Sequence, residues 1–408
     1  MSDAFDFQAL FAKGLPAPAG RWGGFPKYNF VGGHNDPDGI PVEGLIASAT
    51  RVLRRRGSTL ATYNLDSGPL GDREMREFLA AKMTKYRGVT TSPDEILVTP
   101  GSNPALLLIF GVLIDPGDTV IAEEFTYAGA LGRMRARGAK VVGAKLDDKG
   151  LSADHLEELL AAHKKAGIKT KLIYTIPTIQ NPTSTVMPVE RRRAILDISR
   201  KYGVPVVEDE CYADLLWEQE WPPSMRAMEG SEHVIHVASF SKYLSPALRL
   251  GFINAPWPVL AQMLAIKYDS GTSALPQMVV ADFMKEHYDD HVGALKGRLK
   301  KKCDALVEAL QEQFGASAEF TVPPGGIYLW IKLPEVVDTR KLAAPAAAEG
   351  IAFNPGPEWA VDGPSASRYL RLCYAYPDEA TIREGVTKLA EVCHREFGVP
   401  VRSANVAR

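Results

Sequence analysis

The chain has 408 residues, of which 46% are apolar and 24% charged, and a formal net charge of −2. That is the balance of an ordinary soluble globular protein, long enough for two or three packing units. It excludes a global field drawing the chain to nucleic acid or anionic lipid, and no stretch approaches the ~20 apolar residues of a membrane span. At the N-terminus, Asp3 and Asp6 with no long apolar run argue against a secretory leader. The first forty residues are rich in glycine and proline (Gly14-Leu-Pro-Ala-Pro, Gly23-Gly24-Phe-Pro) and predict an irregular arm, followed by a helix over residues 42–56.

From Asp94 onward, apolar segments at 95–98, 119–123, 140–144, 171–176, 204–208, 234–238 and 250–254 alternate with helical stretches. Such alternation predicts an α/β fold, with a mainly parallel seven-stranded sheet flanked by helices. Several segments are unbroken runs of Val, Ile and Leu, as strands covered on both faces require. A long helical region spans 260–314, and beyond it the pattern changes to a strand at 326–333, a helix, a strand at 368–373 and a closing helix at 379–397. The expected organisation is an arm and part of a small domain over 1–60, a large domain over 61–300 and a smaller α+β domain over 301–408. Basic runs at 54–56, 191–193 and 300–302 read as solvated helix faces. Cys211, Cys303, Cys373 and Cys393 have neither CxxC nor Cys/His ligand spacing, which argues against a disulfide framework and a zinc site and fits a reduced, cytoplasmic setting. The eight histidines show no metal-like spacing, so no metal is expected.

Five segments carry chemistry. Ser239-Phe-Ser-Lys242, with Arg249 seven residues on, follows an apolar strand, where open α/β sheets place ligands. A lysine so placed suits Schiff-base chemistry, and the hydroxyls and guanidinium suit a phosphate. Glu208-Asp209 ends another strand three residues before Tyr212. A buried carboxylate there would keep a pyridine nitrogen protonated, or the acidic pair could cap the next helix. Thr99-Pro-Gly101-Ser102-Asn103-Pro104 opens a helix whose free N–H groups could bind phosphate; Gly101 allows close backbone approach. Tyr127 lies just past a strand, placed to stack on a planar group or to pack in the core. Asn181 begins an Asn-Pro turn after a strand, as turn chemistry or as an amide donor to a ring oxygen.

In order, spacing and strand-end context these segments resemble the class I/II aminotransferases of the fold-type I pyridoxal-phosphate superfamily. The likeness extends through Phe30-Val-Gly-Gly33, Pro324-Gly-Gly-Ile-Tyr-Leu-Trp330, Phe353-Asn-Pro-Gly356 and Tyr369-Leu-Arg371-Leu, and is nearest to the branch of 2-aminoadipate and kynurenine aminotransferases. The resemblance implies pyridoxal 5'-phosphate held as an aldimine on Lys242, with Asp209 at the pyridinium nitrogen, Asn181 and Tyr212 at the ring hydroxyl oxygen, and Tyr127 on the ring. It implies a phosphate cradle of Gly101, Ser102, Asn103, Ser239, Ser241 and Arg249, completed by Tyr63 from a neighbouring subunit of a homodimer. Arg371 would take the substrate carboxylate, with Asn181 and the backbone at Gly33, while His34-Asn35-Asp36 would lie over the substrate side chain. Ser184 and Ala247 stand where this family often has glycine, and Asn103-Pro104 replaces a Gln-rich pair.

The implied reaction is ping-pong transfer of the amino group of an L-amino acid to a 2-oxo acid. Decarboxylation, cyclisation, elimination or oxidation through the same cofactor remain open. A third reading is a cofactor-binding regulator resembling the aminotransferase-like half of certain transcription factors. The Gly33 segment begins too early for their DNA-binding domain, and no basic recognition helix precedes it, so an enzyme is expected.

Overall fold

The computed structural model describes residues 6–401 apart from 14, 16, 218 and 219; Asp3 and Gly14, named above, lie outside the described residues. Seven strands make one sheet: β1 (Ile96–Thr99), β2 (Thr119–Glu123), β3 (Lys140–Ala144), β4 (Thr170–Thr175), β5 (Val206–Asp209), β6 (Val234–Ser239) and β7 (Gly251–Asn254). Their spatial order is β1-β7-β6-β5-β4-β2-β3. Only β7 runs antiparallel to its neighbours. Each predicted strand is present, with its ends displaced by no more than two residues.

The apolar runs explain the layering. Every residue of β1, β2, β5, β6 and β7 is buried, whereas β3, at the sheet edge, is only partly covered. One face packs Leu97, Val120, Leu172, Val207, Val237 and Ile253 against Leu106, Ile109 and Phe110 of the helix Ser102–Leu113. At roughly 1.5–3 kcal/mol for each fully buried large apolar side chain, this contact alone outweighs any single polar interaction in the sheet.

The predicted helical region at 260–314 is two helices, Trp257–Ala265 and Ala274–Phe314. Ser270 and Gly271 between them hold φ values of +57° and +112°, which no helix continues. The second helix has 41 residues and serves two cores. Its Val280, Phe283, Met284 and Leu299 join the core around Ile96, Val98 and Phe252 of the seven-stranded sheet, while Cys303, Leu306, Leu310 and Phe314 join the core of the C-terminal sheet. Position 300 therefore falls inside a continuous element. That smaller sheet pairs β8 (Tyr328–Lys332) antiparallel to β9 (Tyr369–Cys373), with Asn354–Pro355 on the far side of β9. Tyr28–Asn29 pairs in parallel with Ile351–Ala352, so the N-terminal chain enters the same structure.

The basic runs are not wholly solvated. Arg192 is fully buried, donating to Glu210 Oε1 at 3.3 Å and Thr178 Oγ1 at 2.8 Å, and Lys302 is buried against Asp36. Three successive helical residues fan over about 200°, so one of them can turn inward while its neighbours face water. Among the described residues no helix is long and apolar enough to cross a membrane.

Candidate active site

The carboxyl ends of β2, β4, β5 and β6 open into a cavity of about 240 Å³, which also receives the start of the helix Ser102–Leu113 and the Gly33-His34 segment. Lys242 enters it three residues past β6. Its Nζ donates to the Gly33 carbonyl at 2.9 Å and sits 5.8 Å from the centroid of the Tyr212 ring. Burial pushes its amine below the usual lysine value, and the charges of Arg371 and Arg249 push the same way.

Asp209, the buried last residue of β5, faces the same space. It accepts the Tyr174 hydroxyl at 2.7 Å and the Cys211 N–H at 3.2 Å. Burial outweighs these bonds and holds its carboxyl above the ordinary range. Its neighbour Glu208 points to the opposite face, where it pairs with His236 Nδ1 at 3.0 Å and accepts from the backbone N–H groups of Met225 and Arg226. The acidic pair thus divides the two roles: Glu208 caps a short helical turn, and Asp209 faces the cavity.

A third corner brings a glycine turn, a helix start and a guanidinium together. Gly101 at φ +100° precedes the helix Ser102–Leu113 and contributes no capping side chain, leaving the first N–H groups free. A Cβ on Gly101 would come within 2.4 Å of the Arg249 guanidinium, so that arginine closes over the turn only because glycine stands there. Ser239 Oγ donates to Ser241 Oγ at 2.9 Å beside it. Gly251 of β7 meets this turn from below: a Cβ there would lie 2.7 Å from the Gly101 carbonyl carbon and 2.8 Å from the Ser102 nitrogen. Gly251→Ala is expected to push the turn outward, costing about 1–3 kcal/mol in affinity for a bound phosphate with little loss of secondary structure. Anion titration of the variant beside the parent protein measures it.

Arg371 in the middle of β9 is 3% exposed. Its NH1 donates to Asn181 Oδ1 at 3.0 Å, and NH2 to the Gly32 carbonyl at 2.8 Å and to Asn354 Oδ1 at 2.9 Å. The guanidinium lies 4.0 Å from the Trp359 ring centroid, and its buried Nε has no partner among the described residues. Asn181 passes the chain of bonds on to the Tyr212 hydroxyl at 3.2 Å. Tyr127 reaches Asn103 Oδ1 at 3.0 Å.

Eleven of the residues named from sequence line this one cavity: Gly33, His34, Ser102, Asn103, Tyr127, Asn181, Asp209, Tyr212, Ser241, Lys242 and Arg249. Gly101 and Ser239 lie buried just behind, and Arg371 joins through Asn181. Tyr63 is 84% exposed and is not among the lining residues of its own chain's cavity. His34 is on the wall, ringed by Phe25 and Tyr376 at 5.0 and 5.7 Å, but the expectation that Asn35 and Asp36 join it there is corrected: both are buried and bonded away from the cavity. Sequence reasoning missed Tyr174, Cys211, Asn354 and Trp359. Asn354 carried a signal, since it opens the quoted Asn-Pro-Gly motif and lies in register with Arg371. Ser184, at φ +63°, shows why glycine suits its position.

A buried carboxylate, a helix start without a capping side chain and an amine of lowered pKa line one cavity, a donor set that fits pyridoxal phosphate. A family model for aminotransferase class I and II matches residues 33–389. The crystal structure of LysN, an α-aminoadipate aminotransferase of Thermus thermophilus complexed with N-(5'-phosphopyridoxyl)-L-leucine, aligns at a TM-score of 0.84 and 30% identity, covering 91% of this chain and 93% of that one. A Pyrococcus horikoshii kynurenine aminotransferase, solved with PMP, aligns at 0.85 and 29% identity, covering 92% of each chain. The uncharacterized HTH-type transcriptional regulator YisV of Bacillus subtilis is 31% identical over 366 residues, 89% of this chain and 73% of that protein. Family match and fold agree, and the chain belongs to the class I and II aminotransferase family with the fold-type I architecture.

Proposed function

We propose that the protein is a pyridoxal-phosphate-dependent aminotransferase that moves the amino group of an L-amino acid to a 2-oxo acid in two half-reactions, acting as a homodimer. The observation that carries this reading is the convergence of Lys242, Asp209 and the Arg371–Asn181 pair on one cavity. Asp209 would sit at the ring nitrogen, Asn181 and Tyr212 at the ring hydroxyl oxygen, and Tyr127 against the ring face. Gly101, Ser102, Asn103, Ser239, Ser241 and Arg249 would surround the phosphate, with Tyr63 of the partner subunit. When bound, the cofactor supplies a carbonyl carbon that takes an amine and a conjugated ring that accepts electrons released at the substrate Cα.

The remaining work belongs to the protein's own side chains. Burial of Lys242 raises the share of neutral amine able to attack a carbonyl carbon. With its amine free, Lys242 Nζ would take the proton from the substrate Cα. Asp209 would hold a proton at the ring nitrogen, because an ion pair favours both charged forms. Arg371 would orient the substrate through its carboxylate, with Trp359 against its guanidinium and its Nε unpartnered among the described residues.

The test is direct. Cofactor-loaded protein given candidate amino acids and 2-oxoglutarate should form glutamate and the matching oxo acid in equal amounts. Bound cofactor with no oxo-acid product from any of them overturns the reading and favours a regulator or another reaction class. Arg371→Leu is expected to lower kcat/KM for the amino acid about 10²–10⁴-fold, since two charge-assisted hydrogen bonds at about 1.5–3 kcal/mol each are removed. Arg371→Lys should recover little of that, because a point charge does not reproduce the planar fork.

A further inference from the structure

Residues 28–36 cross the substrate side of the site as a strap. One end is fixed to the C-terminal sheet: Phe30 N–H donates to the Ala352 carbonyl at 2.9 Å, and Cys373 N–H donates to the Phe30 carbonyl at 2.9 Å. In the middle, the Gly32 carbonyl accepts from Arg371 and the Gly33 carbonyl accepts from Lys242. The strap therefore touches both side chains on which the proposed reaction depends. We propose that Asp36 and Lys302 form a buried clamp that fixes the other end of this strap, making both of them positioning residues for the substrate; the proposal rests on the aminotransferase reading.

Asp36 is 1% exposed and Lys302 5%. Lys302 Nζ donates to Asp36 Oδ1 at 2.9 Å and to the Ala375 carbonyl at 2.8 Å. The same amine thus joins the strap, the 41-residue helix and the chain just beyond β9, one residue before Tyr376. Arg298, one turn earlier on that helix, takes the other Asp36 oxygen. Asn35 completes the anchor: its Nδ2 donates to the Leu244 carbonyl at 2.9 Å, two residues past Lys242, while its Oδ1 accepts the Asp36 N–H at 2.9 Å. A buried ion pair is a weak source of net stability, because desolvation consumes most of its attraction. What it adds over apolar packing is direction, and here the direction sets where two backbone carbonyls and His34 face the cavity.

Three variants test the clamp: Asp36→Asn, Lys302→Arg and the double replacement Asp36→Leu with Lys302→Met. The double variant leaves no unpaired buried charge and so keeps the fold. Asp36→Asn and the double variant are expected to raise the amino-acid KM about tenfold or more, as a misplaced anchor does. Their affinity for pyridoxal phosphate, read by absorbance, should stay within about twofold, because the phosphate cradle is elsewhere. Lys302→Arg, which keeps the ion pair, should keep the parent KM. In the ligand-free protein, amide exchange across residues 31–36 should quicken in the same two variants. A folded double variant with the parent KM and parent exchange overturns the proposal, as does loss of KM and cofactor affinity in parallel with Tm. If the parent protein binds the cofactor yet transaminates nothing, the failure belongs to the proposed function. Amino-acid affinity read from the cofactor's absorbance then replaces KM, with the same two outcomes.

Discussion

Lys242→Ala is expected to bind pyridoxal phosphate without covalent attachment and to lose turnover about 10⁴-fold or more, the upper range for removing a positioned acid–base group. No other lysine lines the cavity among the described residues, so no second amine stands ready to attach the cofactor or to move the proton at the substrate Cα. The fold should survive, since the Nζ makes one hydrogen bond, to the Gly33 carbonyl. A steady-state assay with an equilibrium absorbance titration separates the two losses. Wild-type turnover in the variant contradicts the assignment.

Asp209→Asn should lower kcat about 10²–10³-fold, the scale on which a preorganised charge at the reacting ring acts. The amide keeps the volume, and its oxygen can still accept the Cys211 N–H while the Tyr174 hydroxyl turns to accept from its nitrogen, but it cannot hold a charged ring nitrogen. The same substitution should stabilise the ligand-free protein at neutral pH. Burial raises the Asp209 carboxyl above its unfolded value, so the folded state binds that proton more tightly. Its contribution to stability therefore falls as pH rises past the ordinary carboxylate range. Thermal melts of ligand-free parent and variant at pH 4 and pH 7 read this: the variant's advantage should be larger at pH 7. A variant less stable at pH 7 would mean that Asp209 is held by interactions stronger than its burial.

The sheet was legible because its strands are short, apolar and separated by turns, and the site because most of its groups sit at the ends of those strands. Asp209 ends a strand, and Lys242, Tyr127 and Asn181 lie three, four and six residues beyond strand ends, so the local sequence already places them at one edge. Groups that meet across long sequence separations were not legible. Tyr174 reaches Asp209 from the neighbouring strand 35 residues earlier, and Trp359 covers Arg371 from a loop with no motif of its own. The inward turn of Arg192 and Lys302 was hidden for a related reason, since a run of three basic residues does not say which one faces the core. The polar strap His34-Asn35-Asp36 looked like substrate wall because its partners, Leu244 and Lys302, lie more than two hundred residues away.

The claim at the centre is that Lys242 is the residue to which the cofactor attaches. Loading the native protein with pyridoxal phosphate, reducing it with borohydride and mapping the peptides by mass spectrometry addresses this claim most directly. The account predicts one phosphopyridoxyl group per chain, on the peptide containing Lys242. A label on a different lysine, or no label on protein that has bound the cofactor, contradicts it.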